Sequence, residues 1–437
     1  MLNTDALEYK DINETMYKYD HKSGLRVFFI PKRGYTKKYA AFAINFGSIN
    51  TEFIEKGQME TTIVPEGVAH FLEHILFEQK DGNIMEKFSL LGSKPNAYTS
   101  FNQTVYLFSC TDNFYENLDL LLNFVQNPNF VDESIEKEKN IIKQEINMYR
   151  DNASWRSLFN FLGILYKNNK VRNEILGTPE SIDKINKDIL LKCYNNFYTP
   201  ENMIVCVVGD IEKDGIFSRI DKNIKTSATT NDKSINDKNY DGKNNDERNG
   251  MNKELNNDLN AKIPNTGNST EIKRIFPEEP DDINLPYTEQ RMHISIPYFH
   301  MGYKDNSIKK NSAKDKLELL KRELSLKILL EMIMGRSSNL FKFLYEQGLI
   351  NNTFNFNYTS EENYAHSLIS GESKNPHKVK DIILKYIDDN IDRLSEEDFT
   401  RVRNAMYGKN LRWFNSIETI SANFVTSIFK GIYLFDY

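Results

Sequence analysis

His70, Glu73 and His74 stand in the order H-x-x-E-H, two imidazoles four residues apart with a carboxylate between them. On a helix, positions three and four apart share a face. Both rings can then reach one metal ion, with Glu73 beside them to take a proton. Zinc binds nitrogen, sulfur or carboxylate donors tetrahedrally, and a site that acts on a substrate keeps one position open for water beside three protein ligands. This stretch supplies two ligands and a base, so a third ligand must come from elsewhere. The bland alternative is a surface helix with a solvated polar face. A short motif needs structural context before it means chemistry.

The context is a helix. Val64-Pro65-Glu66-Gly67 reads as its entry, with Pro tolerated in the first turn, and Asp81-Gly82-Asn83 as its exit. Val68, Phe71, Leu72, Ile75 and Leu76 gather on one side of the wheel, leaving His70, Glu73 and His74 on the other, towards a cleft. A second helix is expected from Glu133 to Asp151, with an apolar stripe through Ile135, Ile142 and Tyr149. Glu138 and Glu145 fall within that stripe, where a carboxylate needs a cation or a partner. Salt bridges to lysines elsewhere are the plain account. Glu145 is the candidate third ligand, and Glu138, two turns earlier, the carboxylate that orients a ligating imidazole. Lys137, Lys139, Lys143 and Asn147 read as the solvated side.

These residues resemble the insulinase, pitrilysin and mitochondrial processing peptidase family of inverzincin zinc peptidases, most closely its bacterial YmfH branch. The runs that carry the resemblance are Gly67 to Glu78, Asn96 to Phe101, Glu136 to Arg150 and Phe197 to Met203. It is strong over about residues 20–215 and looser over 285–437. The resemblance implies an α+β fold: two related halves, each a mostly antiparallel sheet with packed helices, facing each other around a peptide-binding chamber. It maps the zinc ligands onto His70, His74 and Glu145, the general base onto Glu73 and a second acidic residue onto Glu138. It also implies an edge strand at Asn96, Ala97, Tyr98 and Thr99 on which an extended substrate pairs. One zinc ion per chain is the implied cofactor.

Two departures stand out. Family members commonly offer an Arg and a Tyr that hold the substrate carbonyl, and in the matching stretch from Leu340 to Asn351 those places are taken by Tyr345 and Asn351. The resemblance therefore implies a partner, either a YmfF-like paralogous subunit in a heterodimer or a second copy in a homodimer. Relatives also continue past the segment Gly431–Tyr437 into a final helix and strand, so the C-terminal part reads as shortened.

The 437 residues suggest several domains: a zinc-binding peptidase domain over 1–215, a low-complexity linker or insertion over 216–284, and a family-like domain over 285–437. The stretch 222–272 is dominated by Asn, Lys, Asp and Ser and reads as disordered. A net charge of −6 argues against a nucleic-acid partner. No apolar run approaches the length that spans a bilayer. The N-terminus has no secretory pattern, and Cys110, Cys193 and Cys206 read as reduced core thiols. By elimination the chain is expected to be cytoplasmic.

Strands are expected at Leu25–Pro31, Tyr39–Phe46, within Asn96–Cys110 and at Met203–Asp210, and a helix near Asn113–Gln126. In the second half, strands are expected at Gln290–Ile296, Phe354–Tyr358 and Tyr364–Ser370, and helices over Ser312–Met334 and Lys378–Leu394. His21, His293, His300, His366 and His377 have no ligand spacing. The chemistry expected is zinc-activated water attacking a peptide bond with Glu73 as base. The alternative is a non-catalytic peptide-binding or assembly subunit with a structural or vestigial zinc site.

Overall fold

The computed structural model describes residues 4–80, 82–225, 272–307 and 316–436. Its first half is built on a seven-stranded sheet. The strands are β1 (Thr4–Tyr9), β2 (Glu14–Asp20), β3 (Arg26–Pro31) and β4 (Lys38–Ile44). A small sheet follows, with β5 (Glu52–Ile54) and β6 (Thr61–Ile63), then helix α1 (Val68–Leu76), a ribbon of β7 (Glu78–Gln79) and β8 (Gly82–Asn83), and α2 (Ile84–Leu90). The large sheet resumes with β9 (Lys94–Thr99) and β10 (Thr104–Cys110) before α3 (Phe114–Gln126), α4 (Asp132–Arg150), α5 (Ala153–Leu165), α6 (Pro179–Asp183) and α7 (Lys187–Phe197). Strand β11 (Met203–Gly209) and helix α8 (Lys213–Asn223) complete this half.

The strand order is β1-β2-β3-β11-β4-β10-β9, antiparallel except for the β3–β11 pair. Strand β11 lies at the centre, and its unbroken run MIVCVVG fits burial on both faces. Met203, Val205 and Val207 enter the core under α1, α3 and α7. Ile204, Cys206 and Val208 enter a second core on the opposite face. A slip of one residue would exchange these two sets, so register is strongly fixed.

The second half carries β12 (Lys273–Arg274), which pairs with β5 of the first half, and a three-stranded antiparallel sheet of β13 (Tyr298–Met301), β14 (Asn355–Ser360) and β15 (Ala365–Glu372). Around it lie α9 (Lys316–Met334), α10 (Asn339–Glu346), α11 (Pro376–Asn390) and α12 (Glu396–Leu411). Phe299, Leu340, Leu344, Ile369, Val379 and Ile383 form its core. The last helix, α13 (Ile417–Lys430), crosses back. Its Ile417, Ile420, Phe424 and Val425 cover the far face of the large sheet against Phe28, Ile30, Ala41 and Ile204. Burial of such side chains stabilises by about 1.5–3 kcal/mol each. The fold is thus α+β, with helices on both faces of an otherwise antiparallel sheet.

Several expectations are corrected. The alternation at Gln290–Ile296 forms no strand: Ile294 stays exposed, and pairing with β15 begins only at Tyr298, after Pro297, which lacks an N–H to donate. Helix α1 ends at Leu76, earlier than expected, because Glu78–Gln79 turns back to pair with Gly82–Asn83. Asn83 instead caps α2, its Oδ1 accepting the Met85 N–H at 2.9 Å. Of the stretch 216–284, residues 216–223 continue α8 and 273–274 form β12, while 226–271 lie outside the described residues. No helix among the described residues is long and apolar enough to cross a membrane. All three cysteines are buried free thiols.

Candidate metal centre

Helix α1 enters through Gly67 in the left-handed region at φ +85°. A Cβ there would meet the Leu176 carbonyl oxygen at 2.4 Å, and one on Gly177 would meet that of Glu66 at 2.6 Å. The two glycines let these backbone segments cross in contact. Ser181 Oγ donates to the Glu66 carbonyl at 2.8 Å and Asn173 Nδ2 to Glu66 Oε1 at 2.6 Å, which pins the entry turn. Beneath the helix, Tyr106 Oη donates to the Leu72 carbonyl at 3.3 Å and lies 3.0 Å from Tyr198 Oη. Every residue of α1 except His74 is buried. His70 and Glu73, expected to face a cleft, are buried on the helix that packs against α4 and β9.

Helix α4 packs its Ile135, Ile142 and Ile146 into the core and brings two carboxylates to α1. Glu138 Oε1 lies 2.7 Å from His74 Nδ1, leaving His74 Nε2 to point at Glu145 Oε2, 3.5 Å away. His70 Nε2 is 3.7 Å from the same oxygen. One donor atom from each of His70, His74 and Glu145 lies within 4.8 Å of the others. Tetrahedral zinc with bonds of about 2.1 Å sets its ligand atoms roughly 3.4 Å apart. Two edges of the observed triangle are close to that length. Lys139, expected on the solvated side, is buried: its ammonium donates to Glu136 Oε1 at 2.7 Å and to the Asp183 carbonyl at 3.3 Å.

The electrostatics suit a divalent cation. Burial, with His74 adjacent, lowers His70 to about 3, so its imidazole is neutral and its nitrogen lone pair available. Burial also pulls His74 down, but the bond to Glu138 and the charges of Glu73 and Glu145 outweigh it and raise the pKa. Burial raises both Glu73 and Glu145, against the lowering effect of Thr99 on the first and His74 on the second. Carboxylates crowded in a desolvated place are relieved by a positive ion.

Strand β9, carrying Asn96, Ala97, Tyr98 and Thr99, is the edge of the large sheet and pairs only with β10 among the described residues. Ala97 packs on the α1 side and Tyr98 on the α13 side, as alternation requires. The Thr99 hydroxyl donates to Glu73 Oε2 at 2.6 Å. That contact has no signature in the sequence, since a strand end and a helix 26 residues earlier meet only in the folded sheet. Tyr345, on α10, is 48% exposed. Asn351 donates to Glu372 Oε2 at 2.7 Å and accepts from Thr353. Two of the other histidines find partners away from this place: His366 Nδ1 lies 3.0 Å from Tyr166 Oη, and His300 Nδ1 2.7 Å from Ser157 Oγ.

The insulinase (peptidase family M16) family matches residues 53–179, the segment holding His70, Glu73, His74, Glu138 and Glu145. A second family, the peptidase M16 inactive domain, matches residues 184–406. A Bacillus subtilis protein described as the uncharacterized zinc protease YmfH is 36% identical over 430 residues, 98% of this chain and 91% of that protein. The crystal structure of a putative M16-like peptidase from Alicyclobacillus acidocaldarius superposes with a TM-score of 0.82 at 26% identity, over 100% of this chain and 91% of that one. Pitrilysin shares the fold at TM-score 0.64 and 14% identity, with this chain covering 43% of it. With such identity sustained along nearly the whole length, the chain belongs to the insulinase family of peptidases, family M16.

Proposed function

We propose that the chain is a zinc metalloendopeptidase acting on peptides or unfolded segments, with one zinc ion held by His70, His74 and Glu145. The convergence of those three donors beside a buried, non-ligating Glu73 carries the reading. A purely structural zinc is normally closed by four protein ligands, whereas this triangle offers three. A zinc ion held there would supply Lewis acidity, making water acidic enough to ionise near neutral pH. Glu73 accepts the proton of the attacking water and returns it to the leaving amine. Burial raises its pKa above the ordinary carboxylate value, against the Thr99 hydrogen bond. Among the described residues strand β9 has an unpaired backbone edge at Asn96–Thr99, which an extended peptide would join.

Glu138 fixes the His74 tautomer through Nδ1 and so aims Nε2 at the metal. Replacing it by Ala is expected to weaken zinc binding about 10–100-fold, read by chelator competition. Unchanged affinity would remove Glu138 from the site.

A partner subunit supplies the carbonyl-holding groups that Tyr345 and Asn351 do not provide. The match of residues 184–406 to the inactive-domain family supports a division of labour in which the second half shapes the chamber. The partner is a YmfF-like paralogue or a second copy. The buried free thiols support a reducing, cytoplasmic setting.

The deciding experiment incubates a quenched peptide library with the chain, alone and with its paralogue, before and after chelation and zinc restoration. Zinc-dependent cleavage that grows with the partner is expected. Cleavage indifferent to chelation sinks the mechanism. Zinc binding and peptide affinity without any cleavage would instead favour a non-catalytic binding subunit.

A further inference from the structure

The turn that follows Thr99 is held by the opposite half of the molecule. Residues 100–103 join β9 to β10, closed by the Ser100 N–H donating to the Gln103 carbonyl at 2.8 Å. Gly47 passes so close beneath that a Cβ would lie 2.4 Å from the Phe101 carbonyl oxygen, so the inner side of the turn is fixed by backbone. Its outer side is fixed by the second half. Gln103 Nε2 donates to Thr426 Oγ1 of α13 at 3.2 Å, and Asn102 Nδ2 to Tyr364 Oη at 3.4 Å. The Phe101 ring meets Tyr364 edge-on, centroids 6.4 Å apart.

Tyr364 is itself built in. It sits at the tip between β14 and β15, buried, with its ring edge-on to Tyr166 and stacked on His366. Asn169 Nδ2 donates to the neighbouring Asn363 carbonyl at 3.1 Å. Lys430, at the end of α13, reaches Glu361 at 2.9 Å and the Ser360 carbonyl at 2.9 Å. Hairpin tip and last helix are thus tied together where both grip residues 100–103. From that turn the chain runs directly into Thr99, whose hydroxyl holds Glu73 at 2.6 Å.

We propose that Tyr364 and Thr426 are positioning residues: through residues 100–103 they fix Thr99, and through Thr99 the carboxylate of Glu73. The coupling makes the base sensitive to any displacement of the second half against the first, including one imposed by a docking partner. The inference rests on the reading of Glu73 as the base of a peptidase. Densely packed contacts shift between discrete arrangements more readily than they deform. A displacement of about 1 Å at a reacting group can cost 10²-fold in rate.

Two readouts test it, hydrogen–deuterium exchange over residues 94–104 and steady-state cleavage. In Tyr364→Ala, exchange of that segment is expected to rise about tenfold or more. Zinc content should stay at the wild-type value, and kcat should fall about 10–100-fold with KM within a factor of two. Thr99→Val should reproduce the kcat loss and Thr99→Ser restore it, since only the hydroxyl matters. If Tyr364→Ala does not fold, the double variant Asn102→Ala/Gln103→Ala removes both outer hydrogen bonds and leaves Tyr364 in its core. Unchanged exchange in a folded variant overturns the proposal, and so does faster exchange with unchanged kcat. A wild-type protein that cleaves no peptide overturns the peptidase reading instead, and exchange then decides the coupling by itself.

Discussion

Glu73→Gln is expected to retain zinc at the wild-type stoichiometry and to lose at least about 10²–10⁴-fold in kcat for peptide hydrolysis. The substitution keeps shape and length, and its amide oxygen can still accept the Thr99 hydroxyl, so α1 and β9 have no reason to move. What disappears is a group able to take a proton and give it back. At 1.36 kcal/mol per factor of ten, the loss corresponds to about 3–5 kcal/mol of transition-state stabilisation. Because Glu73 is not placed among the metal-holding residues, zinc analysis separates this loss from a failure to load. His70→Ala is the contrast: it removes a donor, so zinc and activity should fall together. KM should change little in Glu73→Gln if the carboxylate acts only on the reacting atoms. A Gln variant that turns over normally with full zinc would mean that another group moves the proton.

How much of this was written in the chain depends on the range of the contact. His70, Glu73 and His74 lie within one helical turn and their relation follows from spacing alone. Glu138 and Glu145 were legible because a carboxylate in an apolar stripe demands an explanation, and Ile135, Ile142 and Tyr149 define that stripe. The central strand Met203–Gly209 announced itself as a continuous apolar run. Lys139 was misread because its neighbours are polar: nothing local records that α6 brings the Asp183 carbonyl over it. The alternation at Gln290–Ile296 failed for the converse reason, since a period of two shows only that a segment could pair, and among the described residues no strand lies alongside it. The grip of Thr99 on Glu73, and of Tyr364 on the turn beyond, joins residues far apart in sequence. Propensity and period carry no information about such pairs.

The largest stability effect is expected at Glu279, which precedes the second sheet. Its carboxylate accepts the N–H groups of Lys167, Asn168 and Asn169 at 2.9, 2.6 and 2.7 Å and the Lys304 ammonium at 2.6 Å. Both side chains of the ion pair are 3% exposed. Lys304 also donates to the Pro280 and Asp282 carbonyls and lies 5.4 Å from the Tyr166 ring centre. Glu279→Ala therefore strands a buried ammonium and three backbone donors, and should lower the unfolding free energy by about 3–5 kcal/mol. Glu279→Ala/Lys304→Met should lose less than Glu279→Ala, because the uncompensated charge is gone. Burial alone would raise the Glu279 pKa, but the Lys304 ammonium and the three N–H groups outweigh it and hold the carboxyl below its ordinary value. A depressed folded-state pKa contributes stability above the unfolded value of about 4.3 and loses it as pH falls through the folded one. The gap between wild type and Glu279→Ala should thus be flat from neutral pH down to about 5 and narrow below about 4. Denaturant titrations across that range measure it. A neutral-pH loss under about 1 kcal/mol would class the pair with exposed surface bridges.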